Sequence, residues 1–289
     1  MINVLITGAN SYIGTAFANY LKKWPDKYDV DVVDMIDGSW RKKNFSKYDV
    51  VYHVAGIAHS DSGKISKEKE KLYRSVNTDL TIETAKKAKN EGVSQFIFMS
   101  SAIVYGASGK IGKKRMITSD TCCTPENCYG DSKLQAELGI LPLQSDTFDI
   151  VIVRPPMIYG KGSKGNFPSL ENFSKLPLFP NVKNERSMLY IGNLIEFIRL
   201  MIDNKEKGIF HPQNEEYSNT SELVKMIGTC RGKKVHLVKG FGWALKLISL
   251  FSGLVNKAFG NFTYSKDMSN YKEKYCKYSL KESIELTEK

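Results

Sequence analysis

Asn3-Val4-Leu5-Ile6-Thr7-Gly8-Ala9-Asn10-Ser11-Tyr12-Ile13-Gly14 passes from an apolar run, through a glycine turn, into a segment of helical period. The apolar and β-branched residues suit a short buried strand. Beyond the turn, Ile13, Ala16, Phe17, Tyr20 and Leu21 recur at the spacing of one helix face, and Pro25 stops the pattern. Glycine in such a turn lets backbone approach a pyrophosphate closely, and the helix N-terminus adds N–H groups and a positive dipole end. Gly8, Asn10, Ser11, Tyr12, Ile13 and Gly14 are therefore candidate dinucleotide contacts; an ordinary strand-to-helix turn is the alternative. Asp34 lies 20 residues past Gly14, at the end of the next expected strand. A carboxylate there accepts hydrogen bonds from an adenosine ribose and repels a 2′-phosphate, favouring NAD(H) over NADP(H). Asp31 and Asp37 compete for this role, and Lys42 and Lys43 leave NADP(H) open.

Outward from this turn the alternation continues. Strands are expected at 29–33, 50–55, 96–100 and 150–153, with helices at 72–89 and 129–138. The strands are continuously apolar, as when both faces of a sheet are covered, so the class is α/β with a parallel sheet. After Arg154-Pro155-Pro156 the pattern breaks. Residues 160–184 show no period and read as a loop-rich insertion over an active site. A helix at 194–202, a strand at 208–211 and helix-like pieces at 221–228, 243–259 and 279–286 follow. This suggests a dinucleotide-binding domain of 1–160 plus about 186–215, and a smaller substrate domain of about 161–185 and 216–289.

The chain of 289 residues is 42% hydrophobic and 25% charged, an ordinary balance for a soluble enzyme. No run approaches the roughly 18 apolar residues of a membrane span. The opening residues lack the features of a signal peptide, which points to the cytoplasm. Five cysteines (Cys122, Cys123, Cys128, Cys230 and Cys276) are an odd number, read as reduced thiols, and their spacing fits no zinc site. The net charge of +11 reads first as a solvated basic face and second as attraction for an anionic ligand. Nucleic acid is disfavoured, because no RNA-binding or zinc motif accompanies the charge. Residues 241–259 are almost uncharged; packing against the small domain or a subunit is the first reading, and weak peripheral membrane contact the second.

The chemistry centres on Tyr129-Gly130-Asp131-Ser132-Lys133. Positions four apart share a helix face, so phenol and ammonium can meet one substrate atom. A nearby lysine cation should lower the phenol's pKa and fit it for proton transfer. Ser101, about 30 residues earlier at the end of a strand, supplies a hydroxyl partner. His53 reads as structural, and His59 as a residue that could line the cofactor site.

In sequence order, Thr7-Gly8…Gly14, His53-Val54-Ala55-Gly56, Asn77, Phe98-Met99-Ser100-Ser101-Ala102-Ile103-Val104-Tyr105-Gly106, Tyr129…Lys133 and Arg154-Pro155-Pro156-Met157-Ile158-Tyr159-Gly160 appear together. In these the chain resembles the extended short-chain dehydrogenase/reductase family of nucleotide-sugar epimerases, dehydratases and reductases. The resemblance implies a Rossmann-type doubly wound parallel sheet with a smaller C-terminal substrate domain. It implies Ser101 as orienting hydroxyl, Tyr129 as general acid/base, and Lys133 as also holding the nicotinamide ribose. Ala55, Gly56 and Pro156 join the cofactor set by the same resemblance. Ser11 departs from it, standing where the family usually has a glycine. Ala102 and Ile103 replace the Asp-Glu pair of the dehydratase branch, which argues against dehydration. Ala102, Asn166, Phe167 and Arg186 match the substrate-binding segments, with Arg186 a clamp for a diphosphate. The wording of the second half is closest to capsule and lipopolysaccharide reductases of UDP-linked 4-keto-6-deoxy-N-acetylhexosamines. Such a reductase is the first expectation, a UDP-hexose 4-epimerase the second, and a non-catalytic dinucleotide-sensing or nucleic-acid-binding scaffold a remote third. A homodimer through the helices at 72–89 and 129–138 is also implied.

Overall fold

The computed structural model describes residues 1–58, 65–240, 256 and 258–289. His59 and nearly all of the apolar 241–259 stretch lie outside the described residues, and so do the readings attached to them. The chain divides into two compact units. The first comprises Met1–Gly106, Cys123–Arg154 and Ile195–Phe210. It holds strands β1 (Ile2–Thr7), β2 (Tyr28–Val33), β3 (Val50–His53), β4 (Gln95–Met99), β6 (Asp149–Val153) and β10 (Gly208–Phe210). All are parallel, in the order β2-β1-β3-β4-β6-β10. From β1 the chain steps outward to β2 and then returns past β1 to β3. The order therefore reverses between β1 and β3, the place where open α/β sheets take ligands at their carboxyl ends.

Both sheet faces are covered, as the continuous apolar runs required. On one face Leu5, Val51, Phe96, Phe98, Ile150 and Ile152 form a core with Ala85 and Ala88 of α3 (Leu80–Asn90) and Ala136 and Ile140 of α4 (Cys128–Ile140). Small residues let these helices lie close: a Cβ on Gly139 would fall 2.2 Å from Ile82 Cδ1. On the other face Phe17 of α1 (Tyr12–Leu21) meets Tyr52 edge-on at 5.1 Å. Each fully buried side chain of this kind contributes roughly 1.5–3 kcal/mol.

The helix expected at 72–89 is interrupted. It consists of α2 (Lys67–Tyr73), a π-type stretch at Arg74–Asp79, and α3. The wider turn buries Asn77 and Thr78 against α4: Asn77 Nδ2 donates to Ser132 Oγ at 3.0 Å, and Thr78 Oγ1 to the Ser132 carbonyl at 2.7 Å. Such bulges are frequent at functional sites.

The second unit comprises Ala107–Cys122, Pro155–Leu194 and His211–Lys289. Residues 107–122 thus belong here, not with the first unit as the sequence division had them. Three short parallel pairs are present: β5 (Met116–Ile117) with β12 (Thr263–Tyr264), β7 (Met157–Tyr159) with β9 (Met188–Tyr190), and β8 (Leu178–Pro180) with β11 (His236–Val238). Helices α5 (Phe167–Phe173), α7 (Thr220–Cys230) and α8 (Leu280–Glu288) close a core around Tyr159, Phe167, Leu170, Phe179, Leu223 and Ile227. The stretch 160–184, expected to be loop, contains α5 and β8. Pro168 stands in the first turn of α5, where its missing N–H costs nothing. The boundary between units falls within α6 (Ile191–Asp203). Among the described residues no helix is long and apolar enough to cross a membrane.

Candidate active site

β1 ends at Thr7, and Gly8 follows with φ of 86°. The N–H groups of Gly8 and Ala9 both donate to the Val33 carbonyl, at 2.9 and 3.2 Å, tying the turn to the end of β2. A Cβ on Gly8 would lie 3.1 Å from both Cα and N of Ala55, so conformation and space together demand glycine. Asn10 is also left-handed, at φ 62°. Ser11 caps α1, its Oγ accepting the Gly14 N–H at 3.1 Å. Where the resembled family has glycine, this chain thus has an N-cap. Gly14 is closed in, since a Cβ there would lie 2.5 Å from Ser11 Oγ. Tyr12 and Ile13 form the first turn of α1 and are half-buried.

Asp34 follows β2 directly and is exposed, its carboxylate accepting the Ile36 N–H at 2.8 Å. Asp31 is engaged elsewhere: the Tyr48 hydroxyl donates to it, Lys47 pairs with it at 2.9 Å and Lys43 at 3.5 Å. The Tyr48 hydrogen bond, aided by Lys47, pulls the Asp31 carboxyl down to about 2. Asp37 accepts from the N–H and hydroxyl of Ser39. Arg41 forks onto Glu83 at 2.5 and 2.6 Å. A cradle that a Cβ would fill, a helix N-terminus and a strand-end carboxylate fit a bound dinucleotide.

His53 is structural, as expected. Its Nδ1 lies 2.9 Å from Thr7 Oγ1 and its Nε2 3.0 Å from Thr81 Oγ1, with the ring stacked on Phe96. Burial, with the Lys133 charge adding, pushes its pKa down to about 3, so the ring is neutral.

The catalytic candidates are assembled by two caps and a glycine. Ser101 is extended beyond β4 and caps a 3-10 turn at Ala102–Tyr105, accepting the Ile103 N–H at 3.3 Å. Asn127 caps α4 by accepting the Gly130 N–H at 2.8 Å. Gly130 allows that helix end to press on the 3-10 turn: a Cβ would fall 2.9 Å from the Ile103 carbonyl oxygen. The approach brings the Tyr129 and Ser101 side chains into a hydrogen bond. The Tyr129 ring packs on Tyr73 of α2 at 6.2 Å. Burial raises the Tyr129 phenol, Tyr73 adds to this, and the Ser101 hydrogen bond opposes it.

That direction corrects the expectation that Lys133 lowers the phenol. The Lys133 ammonium instead donates to the Met99 carbonyl at 2.9 Å and sits 4.7 Å from the Phe98 ring centroid. A buried ammonium needs acceptors, and the strand-end carbonyl supplies one. Burial lowers its pKa to about 8, against the raising effect of Glu137. A Cβ on Gly56 would lie 2.9 Å from Asn77 Oδ1 and 3.3 Å from Lys133 Nζ. Gly8, Ala55, Gly56, Lys133, Tyr129 and Ser101 are thus linked around the carboxyl ends of β1, β3 and β4. Ala102 is buried beside them.

The second unit has a cavity of about 280 Å³, lined by Met157, Leu170, Phe173, Met188 and Leu223 with Asn166, Ser169, Thr220 and Arg186 among them. Arg186 donates to the Gly260 carbonyl at 2.9 Å and to Ser108 Oγ at 3.3 Å, and burial lowers its pKa to about 10. Asn166 is exposed at the N-terminus of α5. Phe167 does not join it: its ring is a core group, 1% exposed and stacked on Tyr159 at 5.3 Å. Pro156 is buried in this unit. The five cysteines form no disulfide, and no cluster suited to a metal occurs among the described residues.

Three contributors escaped the sequence reading. Tyr73 needs the helix break to be placed. Asn127 is a capping side chain two residues before Tyr129, a legible signal. Glu137 continues the four-residue spacing of Tyr129 and Lys133 and is bonded to Ser100 and Arg154.

A glycine cradle at the reversal of a parallel sheet, beside a Tyr-x-x-x-Lys helix and a strand-end serine, defines a dinucleotide-dependent enzyme of the short-chain dehydrogenase type. The profile of the NAD dependent epimerase/dehydratase family matches residues 4–212, and the chain belongs to that family. It is similar to a UDP-glucose 4-epimerase of Vibrio cholerae, 30% identical over 299 residues, covering 94% of this chain and 89% of the relative. It is similar also to an N-acetyl-α-D-glucosaminyl-diphospho-ditrans,octacis-undecaprenol 4-epimerase of Escherichia coli O157:H7, at 27% identity over 81% of this chain and 73% of the relative. Among solved structures, a dTDP-4-dehydrorhamnose reductase from Clostridium acetobutylicum superposes with a TM-score of 0.75, at 20% identity, covering 99% of this chain and 98% of that one. That likeness is one of fold.

Proposed function

We propose that the protein is a 4-epimerase of a UDP-linked hexose or N-acetylhexosamine, with Ser101, Tyr129 and Lys133 as its catalytic set. The observation that carries this reading is the similarity to the UDP-glucose 4-epimerase over 94% of the chain. Ser101 holds the C4 oxygen, and Tyr129, once deprotonated to the phenolate, takes up the C4 hydroxyl proton and returns it. Bound NAD supplies reversible acceptance of hydride. Gly8, Asn10, Ser11, Gly14, Ala55 and Gly56 would hold its pyrophosphate and ribose side, Asp34 the adenosine ribose, and Lys133 the nicotinamide ribose. Asp34 supports NAD over NADP; of the two lysines that leave NADP open, Lys43 is committed to Asp31, while Lys42 has no carboxylate partner among the described ion pairs. Arg186, half-buried beside an apolar cavity and without a carboxylate partner among the described ion pairs, suits a diphosphate. Ala102 and Ile103 offer no acid or base for dehydration.

Reduction of a UDP-linked 4-keto-6-deoxy sugar is the second reading, favoured by the motif wording of the second half. The two differ in stoichiometry. Purified protein should interconvert UDP-glucose with UDP-galactose, or their N-acetyl forms, with no net consumption of NAD(P)H, followed by NMR of the sugar. Stoichiometric NAD(P)H oxidation with a 4-keto sugar, without epimer formation, would replace epimerase by reductase.

A further inference from the structure

We propose that Glu137 is a positioning residue for the catalytic set: bridged to Arg154 and Ser100, it locks the face of α4 carrying Tyr129 and Lys133 onto the ends of β4 and β6 and sets an anion one turn from the Lys133 ammonium. The inference rests on the catalytic reading of Tyr129 and Lys133 above. Tyr129, Lys133 and Glu137 recur every fourth residue along one helix face. Glu137 is 1% exposed. Arg154 Nε lies 3.1 and 3.2 Å from its two oxygens and Nη2 lies 2.5 Å from one of them, while the Ser100 hydroxyl donates to the other. Arg154 also donates through Nη1 to the Tyr105 hydroxyl at 2.7 Å, and its N–H donates to the Phe210 carbonyl at 2.8 Å. The Ser100 N–H donates to the Val153 carbonyl at 2.8 Å. One carboxylate therefore ties α4 to the residue before Ser101 and to the residue after β6.

Stability alone does not call for charge at such a place. A buried ion pair can often be replaced by apolar residues of similar volume without loss. What the pair supplies beyond volume is direction and an anion one turn from Lys133. The groups around Lys133 are His53 from β3, Asn77 and Gly56 beside it, the Met99 carbonyl and Phe98 ring of β4, and Glu137 on its own helix. His53 is neutral down to about 3, and the Tyr129 phenol, raised by burial, is neutral as well. Glu137 is the group that opposes the burial of the ammonium.

The test reads the Lys133 side-chain titration directly, by NMR on protein with isotope-labelled lysine, beside the pH profile of kcat/KM. In Glu137→Gln the Lys133 midpoint should fall by about one pH unit. The alkaline limb of kcat/KM should fall with it, with KM for the sugar little changed. Glu137→Asp, which keeps the charge, should restore both. The paired Glu137→Met with Arg154→Met keeps volume where Glu137→Gln alone does not fold; because it removes the Arg154 cation together with the anion, its downward shift should be smaller than that of Glu137→Gln. A Lys133 midpoint unchanged in the neutral variants, with only the melting temperature lowered, would make Glu137 merely structural and overturn the proposal. The Lys133 titration needs no turnover, so it decides this point even if no sugar is epimerised, an outcome that would sink only the proposed function.

Discussion

Tyr129 accepts a proton only as its phenolate, and burial, which raises the phenol, works against that form. The Ser101 hydroxyl is its near partner, and Lys133 spends one of its three N–H donors on the Met99 carbonyl. Removing the phenol should therefore cost the proton transfer and little else. Tyr129→Phe is expected to cut turnover by roughly 10²–10⁴-fold. The melting temperature should stay near that of the parent, since the ring's packing on Tyr73 is kept. A fall of less than tenfold, in an NMR assay of sugar interconversion, counts against Tyr129 as the acid/base. Asp34 carries a second expectation. Its exposed carboxylate stands at the end of β2, so Asp34→Ala should weaken NAD binding by about tenfold, the worth of a charge-assisted hydrogen bond. It should also narrow the preference for NAD over NADP, both read by calorimetric titration. Equal affinities before and after would remove Asp34 from the ribose site. Sequence spacing nominated Asp34 but could not dismiss Asp31. That depends on Tyr48 and Lys47, which fold back onto Asp31 from the far side of the 3-10 turn at Ser39–Lys42. Lys133 was harder still: its place on the helix face was legible, but its commitment to a strand-end carbonyl was not.

Elements matter here through how closely they approach one another. Gly130 sets the distance between α4 and the turn after Ser101, with only 2.9 Å between a notional Cβ and the Ile103 carbonyl oxygen. In Gly130→Ala the helix end must retreat, and Tyr129 retreats with it. A displacement of this order can cost roughly 10²-fold in turnover. NAD affinity should change little, because Gly130 does not touch the β1–β3 crevice. Loss of both together in the same titration would show instead that the helix as a whole had moved. His53 joins β3 to β1 and α3 through Thr7 and Thr81. Its pKa is depressed in the folded chain, from 6.5 to about 3. Between those values the unfolded chain binds a proton that the folded chain refuses. Its contribution is thus present above about pH 6.5 and lost as pH falls toward 3, by up to about 1.4 kcal/mol per pH unit. His53→Gln, measured by denaturant unfolding across that range, should show a shallower acid loss than the parent; identical slopes refute this. The large strands and their helices were readable because each is long, apolar and bounded by turn residues. The π-type stretch at Arg74–Asp79 was not, since a widened turn leaves the helical period almost intact. The pairs β5–β12, β7–β9 and β8–β11 escaped because strands of two or three residues have no period to read.

At the scale of the whole chain, neither unit is one continuous segment. The first is completed by Ile195–Phe210, about 40 residues after Arg154. Sequence patterning placed this return near 186–215, because an amphipathic helix followed by an apolar strand is visible there. It could not detect that Ala107–Cys122 leaves for the second unit, since that excursion is short and polar. The returning segment is bonded throughout the first unit. β10 pairs with β6 from Gly208–Val151 to Phe210–Val153. Gln95 Nε2 donates to the Met201 and Glu206 carbonyls, both at 2.9 Å. The Tyr20 hydroxyl donates to Glu196 at 2.8 Å and that of Tyr28 to Asp203 at 2.5 Å. Cutting the chain after residue 160 removes all of these at once. It leaves β6 as an edge strand, still paired with β4 but with the backbone groups that met β10 unpaired, and an apolar face open on the α1 side, a combination that favours aggregation. Residues 1–160 alone are therefore expected to be insoluble, or soluble without a cooperative melt and without measurable NAD binding, although they contain every residue assigned to the glycine cradle and to the catalytic set. Circular dichroism on heating and calorimetric titration with NAD check this. A fragment that melts cooperatively and binds NAD as tightly as the full chain would show that the cradle needs only the strands nearest the reversal, and that the return through α6 and β10 serves the fold's edge and not its site.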